Sequence, residues 1–237
     1  MKKSLPITLI IATRNSHKVG EICAILSDRF RYLTLNDFLG APIVIEDAST
    51  FVGNATKKAT ELANWLSESP TLNSQISNPD RGNVFVLADD SGLEVDALNG
   101  EPGIYSARFA AMSSNGNSLD AANNEKLLRL LEKIPAEKRT ARFRCAVALT
   151  PVVVESQENS SPVCCAKEAE LRTEIFEGVC EGRITFAPNG QGGFGYDPLF
   201  MPNGFEKSFA ELSEVEKNKI SHRAKALEKL RVRLNLP

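Results

Sequence analysis

Two adjacent aspartates, Asp89 and Asp90, directly follow an apolar run at residues 84–88 that has the composition of a buried strand. Because successive side chains on a strand point to opposite faces, we expect the two carboxylates to lie in different environments. A carboxylate at the end of a buried strand costs desolvation free energy unless a cation or hydrogen-bond donors compensate for it. Open α/β sheets bind ligands at such strand ends, so the pair is a candidate binding site. The alternative is a turn in which DDSG merely reverses the chain.

A third carboxylate, Glu46, ends the apolar segment PIVIE at residues 42–46, which predicts another strand. Oxygen ligands that come from separate strands suit a hard divalent cation such as Mg²⁺. Glu46 and Asp90 are therefore the candidate metal ligands. Each acid taken alone is equally typical of a solvated turn.

Residues 13–18, TRNSHK, join a predicted strand to a predicted helix. Free backbone N–H groups and the positive end of the helix dipole favour a phosphate at such a junction. The segment has no glycine and is not a Walker loop, and a polar helix cap is an equally good interpretation. Asn54 and Lys58 are one helical turn apart and can reach the same anion, although such a lysine is usually a solvated charge.

Residues 190–195, GQGGFG, match the spacing of a dinucleotide-binding motif, but we reject that interpretation. The motif requires a helix directly afterwards, and the following YDPLFMP contains two prolines. We predict instead a loop that presents Phe194 and Tyr196 for stacking and Asp197 for hydrogen bonding. A glycine-rich turn with buried aromatic rings is the alternative.

His222 and Arg223 open a predicted C-terminal helix, with Ser221 as a candidate cap. Cations in the first turn of a helix oppose its dipole, so their placement is locally unfavourable. An anionic or carbonyl-bearing ligand would offset that cost. A surface pair without function is the alternative.

The elements that position these residues alternate between strand and helix. Apolar runs predict strands at residues 7–12 and 42–46, each followed by a helix, and a further helix at residues 125–132. Residues 142–149, RFRCAVAL, alternate like a half-buried strand. Polar stretches at residues 67–83 and 155–162 predict surface insertions. This order predicts an α/β protein with a mixed sheet, and we treat residues 1–237 as one domain.

Composition excludes several classes of partner. The 237 residues carry a formal net charge of −2, so no general positive field would gather nucleic acid or an anionic membrane surface. No apolar run approaches the roughly 18 residues that a membrane helix needs. Five cysteines without a CxxC pair predict reduced thiols and a cytoplasmic location.

Five segments together resemble the inosine triphosphate pyrophosphatase family, also called Ham1-like or non-canonical purine NTP pyrophosphatases. They are ATRNSHKVGEI, FVGNATKKA, LADDSGLEVDALNGEPGIYSARFA, GGFGYDPLF and AELSEVEKNKISHRAKAL, in the family's order. The resemblance implies a two-lobed α/β fold with a long curved mixed sheet flanked by helices, and a central cleft. It also implies a homodimer and Mg²⁺-dependent hydrolysis of ITP, dITP and XTP to the monophosphate and pyrophosphate.

The same resemblance implies roles for the matching residues. Asp90 would be the general base or a metal-linked acid, with Glu46 as its partner on the metal. The residues that would hold the triphosphate are Thr13, Asn15, Lys18, Lys58 and Lys217, with Arg14, Ser16 and His17 in the same substrate-binding segment. Those that would surround the nucleoside and base are Ser91, Phe194, Gly195, Tyr196, Asp197, His222 and Arg223. Gly53 departs from the family pattern, which usually has an acid before the Asn-Ala pair.

Arg223 also predicts a basis for selecting the purine. A guanidinium can only donate, so it can pair with the O6 acceptor of hypoxanthine or xanthine but meets a donor in adenine.

Two other functions stay open: a catalytically silent nucleotide sensor, and a Maf-type pyrophosphatase acting on modified pyrimidine nucleotides. The presence of both Glu46 and Asp90 argues against the first, and the SHRAKAL segment argues against the second.

Overall fold

The computed structural model describes residues 7–68, 83–111, 117–153 and 172–234. Strand and helix alternate as far as the fourth strand, and two more strands and then two helices follow. The helices are α1 (Ser16–Leu26), α2 (Phe51–Glu68), α3 (Asp120–Leu130), α4 (Glu214–Ile220) and α5 (His222–Arg233). The strands are β1 (Thr8–Ile11), β2 (Arg31–Thr34), β3 (Val84–Val95), β4 (Thr140–Pro151), β5 (Glu174–Ile184) and β6 (Phe200–Pro202). Apart from three residues at its ends, the predicted insertion at 67–83 lies outside the described residues, as does all of 155–162.

The strands form one six-stranded sheet in the order β2-β1-β3-β4-β5-β6. β1 is parallel to both β2 and β3, whereas β5 and β6 are antiparallel. The sheet is therefore mixed, and the predicted α/β class with a mixed sheet and flanking helices is confirmed. No helix in the described part of the chain is both long and apolar enough to cross a membrane.

The chain divides into two compact units. The first comprises Met1–Asp90 and Ala146–Phe176, and the second comprises Ser91–Cys145 and Glu177–Pro237. β3 thus passes from the first unit into the second at the peptide bond between Asp90 and Ser91.

Each unit has its own apolar core. In the first, the β1 residues and one face of α2 are buried, including Leu9, Ile10, Ala59 and Leu62. The second is built around aromatic rings. There the Phe143 ring centroid lies 4.7 Å from that of Phe200 and 5.9 Å from that of Phe209.

The predicted strand at residues 42–46 is wrong. The segment forms no strand, and Ile43 and Ile45 are 84% and 70% exposed. β1 pairs instead with β2 and β3, and in the described part of the chain residues 42–46 join neither β1 nor the outer side of β2. The second strand along the chain is instead β2, which sequence reasoning missed.

The placement of Asp89 and Asp90 at the end of a strand is also wrong, and so is the alternative of a chain-reversing turn. β3 continues through both residues to Val95. Aspartate, serine and glycine favour turns locally, but pairing within the sheet outweighs that preference. Both acids therefore lie within a buried strand, at 3% and 7% exposure.

Hydrogen bonds cap the starts of two helices. Ser221 Oγ accepts from the N–H of Ala224 at 3.1 Å at the start of α5, so the predicted Ser221 cap is confirmed. Thr50 Oγ1 accepts from the backbone N–H of Gly53 at 3.0 Å at the start of α2. The helix predicted at residues 125–132 begins earlier, at Asp120, and ends at Leu130.

Candidate active site

Five charged side chains of the first unit form what we call the acid–lysine cluster: Lys18, Glu46, Lys58, Asp89 and Asp90. Lys18 is ion-paired with Asp89. The Nζ atom of Lys58 lies 3.2 Å from Glu46 Oε2 and 3.3 Å from Asp90 Oδ1, and it donates to the Asp89 carbonyl oxygen at 2.8 Å. The Lys58 ammonium group therefore contacts the carboxylates of Glu46 and Asp90 and the backbone carbonyl of Asp89.

The two aspartates of β3 have different partners, as the alternation of a strand predicts. Asp89 is paired with Lys18 of α1, whereas Asp90 is held from α2. Asn54 Nδ2 donates to Asp90 Oδ2 at 3.1 Å, and Asn54 Oδ1 accepts from the N–H of Ala48 at 3.0 Å. Asn54 is thus oriented at both ends of its amide, which fixes the carboxylate of Asp90.

Burial and charge act in opposite directions on this cluster. Burial raises the pKa of Asp90 above its ordinary value, although the positive charges of Lys58 and Lys18 act against that rise. Burial lowers the pKa of Lys58, but the carboxylates of Asp90, Glu46 and Asp89 outweigh it and hold that pKa above its ordinary value. A buried carboxylate with a raised pKa next to a firmly charged ammonium is typical of a site that moves protons.

Glu46 and Asp90 also satisfy a geometric condition for sharing a metal ion. Their carboxylate oxygens approach the same Lys58 Nζ atom, so one cation already sits within 3.3 Å of both. No group of three or more metal-ligating side chains occurs in the described part of the chain. Mg²⁺ is commonly held by one or two carboxylates together with phosphates and water, so a pair of acids fits this ion when a substrate supplies further oxygens.

The TRNSHK segment is a helix cap in this structure. Asn15 Oδ1 accepts from the backbone N–H groups of His17 and Lys18 at 2.9 and 3.2 Å. Thr13 Oγ1 accepts from the N–H of Asn15 at 3.1 Å. The cap interpretation is therefore confirmed, while binding of phosphate by this segment stays a prediction. Arg14, Ser16 and His17 are exposed.

The second unit brings together a group that we call the arginine cluster: Ser91, Phe194, Asp197, Lys217 and Arg223. Arg223 is only 1% exposed, and its Nη2 atom donates to Ser91 Oγ at 2.9 Å. Lys217 is ion-paired with Asp197. The Phe194 ring centroid lies 5.1 Å from Lys217 Nζ and 5.9 Å from Arg223 Cζ, so two cations border one aromatic ring.

Tyr196 and His222 support this cluster from the core. Tyr196 is 4% exposed, its hydroxyl donates to the Ser106 carbonyl oxygen at 2.9 Å, and burial raises the pKa of its phenol. The His222 ring stacks on Phe143, with centroids 4.7 Å apart. Of the two aromatic residues predicted to stack on a ligand, Tyr196 is therefore buried in the core, whereas Phe194 is half-buried.

The rejection of GQGGFG as a dinucleotide motif is confirmed. Residues 185–199 form bends and turns without a helix, and β6 follows at Phe200. Gly193 and Gly195 have positive φ angles of 71° and 64°, which glycine adopts without strain. The segment is a tight loop that carries Phe194 between these two glycines.

Comparison with known proteins gives the family. The sequence profile of the Ham1 family matches residues 9–233, nearly the whole chain. The chain belongs to the Ham1 family. The resemblance drawn from the five sequence segments is thereby confirmed.

Curated Ham1 relatives are similar over nearly their full length. The chain is 44% identical over 223 residues to the dITP/XTP pyrophosphatase of Geobacillus kaustophilus, covering 94% of this chain and 91% of the relative. It is 42% identical over 228 residues to the dITP/XTP pyrophosphatase of Desulforamulus reducens, covering 96% and 95%.

Solved Ham1 structures share the fold. The Staphylococcus aureus Ham1 protein matches with a TM-score of 0.70 at 34% identity, covering 96% of this chain and 98% of that one. A Ham1 protein from Coxiella burnetii matches with a TM-score of 0.70 at 34% identity, covering 97% and 98%.

Sequence reasoning missed some side chains that organise this Ham1 site. The pairing of Asp89 with Lys18 was not predicted, nor were the contacts that Asp120 and Asn124 of α3 make with Gly195. A signal was present, because the helix contains the consecutive asparagines Asn123 and Asn124, and asparagine is a poor helix former. Polar residues that disfavour their own element indicate a role outside it.

Proposed function

We propose that this chain hydrolyses non-canonical purine nucleoside triphosphates, ITP, dITP and XTP, to the nucleoside monophosphate and pyrophosphate. Membership of the Ham1 family and the names of its relatives support this activity. The observation that carries the proposal is the environment of Asp90, a buried carboxylate held by both Lys58 and Asn54. Such a group can accept a proton from water in a fixed direction.

The acid–lysine cluster would bind the phosphates. The protein has a net charge of −2, so a triphosphate must be neutralised locally rather than by a general field. Lys18 and Lys58 supply positive charge within the cluster, with Lys217 as a further candidate. Asp90 would accept the proton of the attacking water, and Lys58 would favour the ionised carboxylate that this requires.

A divalent cation fits the same residues. Glu46 and Asp90 would hold Mg²⁺, which when bound would neutralise phosphate charge and lower the pKa of a water molecule. With or without the metal, Asn54 would keep the Asp90 carboxylate oriented, because the Asn54 amide is itself held by the N–H of Ala48.

The arginine cluster would read the purine. Arg223 is a donor-only group, and Ser91 orients its guanidinium through a hydrogen bond. A donor facing the 6-position favours the O6 of hypoxanthine and xanthine and disfavours the amino group of adenine. Phe194 would stack on the base. Guanine also has an O6, so its rejection would depend on the 2-amino group, with Asp197 as the candidate contact.

A pyrophosphate-release assay with ITP, XTP, dITP, ATP and GTP, with and without Mg²⁺, tests the proposal. We expect turnover of the first three nucleotides in the presence of the metal and much weaker turnover of ATP. Binding of ITP without any turnover would instead indicate the nucleotide sensor. Turnover confined to modified pyrimidine nucleotides would indicate the Maf-type activity.

Asp90→Asn is the decisive variant. It keeps the shape of the side chain but removes the proton acceptor, so we expect a loss of kcat of at least about 100-fold, within the range of general base catalysis, while ITP binding stays measurable. Asp96→Asn is the matched control, because Asp96 follows the same strand but is bound to Thr140 and Arg142 outside the cluster. Wild-type turnover in Asp90→Asn would refute the catalytic role.

The homodimer and the cytoplasmic location stay predictions.

A further inference from the structure

Two side chains of α3 hold both peptide groups of Gly195. Asp120 Oδ2 accepts from the N–H of Gly195 at 2.7 Å, and Asn124 Nδ2 donates to its carbonyl oxygen at 3.0 Å. Asp120 and Asn124 are four residues apart and hence neighbours on one helix face. They reach a residue more than 70 positions further along the chain. We call this pair of contacts the Gly195 clamp.

The position of the clamp matters because of the residue before it. Phe194 lies between Gly193 and Gly195, which both have positive φ angles. Glycine has a wide choice of backbone conformations, so the local sequence does not fix the direction in which the Phe194 ring points. Tertiary contacts must do so.

The N-terminal side of the loop has an anchor of its own. The N–H of Phe194 donates to Asp197 Oδ2 at 2.8 Å, and Asp197 is ion-paired with Lys217. The clamp acts on the following residue, so the peptide groups on both sides of the Phe194 Cα atom are held. α3 is therefore in a position to set the ring relative to Arg223, whose Cζ lies 5.9 Å from its centroid.

We propose that Asp120 and Asn124 are positioning residues for recognition of the purine: by holding Gly195, they fix the Phe194 ring where it stacks on the base. The inference rests on the proposed function, since it assumes that a purine nucleotide is the ligand. Neither residue touches the reacting atoms, so the effect falls on binding and selectivity rather than on the chemical step.

The exposure of the clamp residues distinguishes a role in positioning Phe194 from a contribution to the stability of the fold. Asp120 is exposed and Asn124 is half-buried, whereas the neighbouring Asn123 is 2% exposed and bonds to Ala110. Exposed polar contacts contribute little to the free energy of unfolding. A loss of function on removing Asp120 would therefore not be explained by unfolding.

Kinetics of conservative and non-conservative variants test the inference. Asp120→Ala and Asn124→Ala should raise the KM for ITP about ten-fold, the effect of losing one hydrogen bond, and change kcat by less than about two-fold. Asp120→Asn keeps an acceptor oxygen and should restore most of the affinity. Asn124→Asp replaces the donor by a second acceptor facing the Gly195 carbonyl, and should resemble Asn124→Ala. Glu125→Ala, an exposed position on the same helix, is the control and should behave like the wild type.

Amide hydrogen exchange at Gly195 without nucleotide supplies a readout that does not depend on activity. Exchange there should accelerate in Asp120→Ala and remain slow in Asp120→Asn and Glu125→Ala. If the wild type hydrolyses ITP and the two alanine variants keep its KM, the inference is overturned and the proposed function stands. If the wild type neither binds nor hydrolyses ITP, the proposed function fails and the inference fails with it.

Discussion

The two clusters of candidate site residues are built in different ways. The acid–lysine cluster of the first unit holds three acids and two lysines, with Lys18 ion-paired to Asp89 and Lys58 ion-paired to both Glu46 and Asp90. In the arginine cluster of the second unit, Lys217 is ion-paired with Asp197, Arg223 donates a hydrogen bond to the uncharged Ser91 hydroxyl, and both cations lie beside the Phe194 ring. The first is defined by charge, and the second by donor direction and aromatic surface.

From this difference we expect the two clusters to have different functions. Charge of either sign in a buried place acts strongly on phosphates and on protons but does not distinguish one purine from another. A donor-only group held in one direction distinguishes purines but supplies little to the chemical step. Removing a group from the first cluster should therefore lower turnover for every nucleotide, and removing one from the second should change the ratio between nucleotides.

The largest effect is expected for Lys58→Met. The variant leaves Asp90 and Glu46 without the ammonium that both contact, and removing one member of a buried ion pair typically costs about 3–5 kcal/mol in the free energy of unfolding. Because Glu46 is partly exposed, we expect the lower end of that range, together with loss of turnover on all nucleotides. Urea unfolding and pyrophosphate release measure the two effects.

The neighbouring residue provides the control for that variant. Lys57→Met removes a partly exposed lysine whose partners, Asp47 and Glu61, lie outside the cluster. We expect no measurable change in stability or turnover. Equal effects in both variants would show that the acid–lysine cluster has no special role.

A smaller but more selective effect is expected for Arg223→Ala. The ratio of kcat/KM for ITP to that for ATP should fall by about 10-fold or more, since a mispaired buried donor costs about 1–3 kcal/mol. Arg223 is almost fully buried, so the variant will also lose stability; the ratio of two substrates measured on the same enzyme removes that contribution. Arg231→Ala, a half-buried position on the same helix paired with Glu228, is the control. An unchanged ratio would show that another group reads the base.

The fold class was predictable from the sequence because it depends on local patterns. The helix after residues 42–46, which is α2, and the cap of α5 depend on neighbours in the chain, and both predictions are confirmed. The strand predicted at 42–46 is wrong because strand formation also requires pairing with another strand, and in the described part of the chain these residues join none. Local composition does not contain that information.

The candidate site was predictable to a similar extent. Glu46 and Asp90 are predicted from their positions after apolar runs and Lys58 from its helical spacing to Asn54, and the structure brings the three together. The argument that Asp90 ends a strand was nevertheless wrong, because Lys58 and Asn54 make its burial tolerable within the strand. The asparagines of α3 indicate a role outside that helix, but they do not identify Gly195 as the partner, since the contacting residues are more than 70 positions apart and no spacing rule connects them.

Two glycines, one in each unit, differ in the space that they leave for a side chain. At Gly178 of β5, a Cβ atom would lie 2.0 Å from the His222 carbonyl oxygen and 2.6 Å from the backbone nitrogen of Ala226. Gly178→Ala should therefore displace the start of α5, which carries Arg223, at a cost of about 1–3 kcal/mol in stability, typical of overpacking. At Gly20 of α1, a Cβ atom would meet nothing within 4 Å. Gly20→Ala should stabilise the protein by about 0.5–1 kcal/mol, because alanine favours the helix.

Kinetics on the same two variants then separate backbone position from simple stability. The ratio of kcat/KM for ITP to that for ATP should fall several-fold in Gly178→Ala, because the Arg223 guanidinium, which we propose reads the base, moves with its helix. It should stay at the wild-type value in Gly20→Ala. If Gly178→Ala loses stability but keeps its selectivity, the close approach of β5 and α5 serves packing alone, and the direction of Arg223 is set by Ser91.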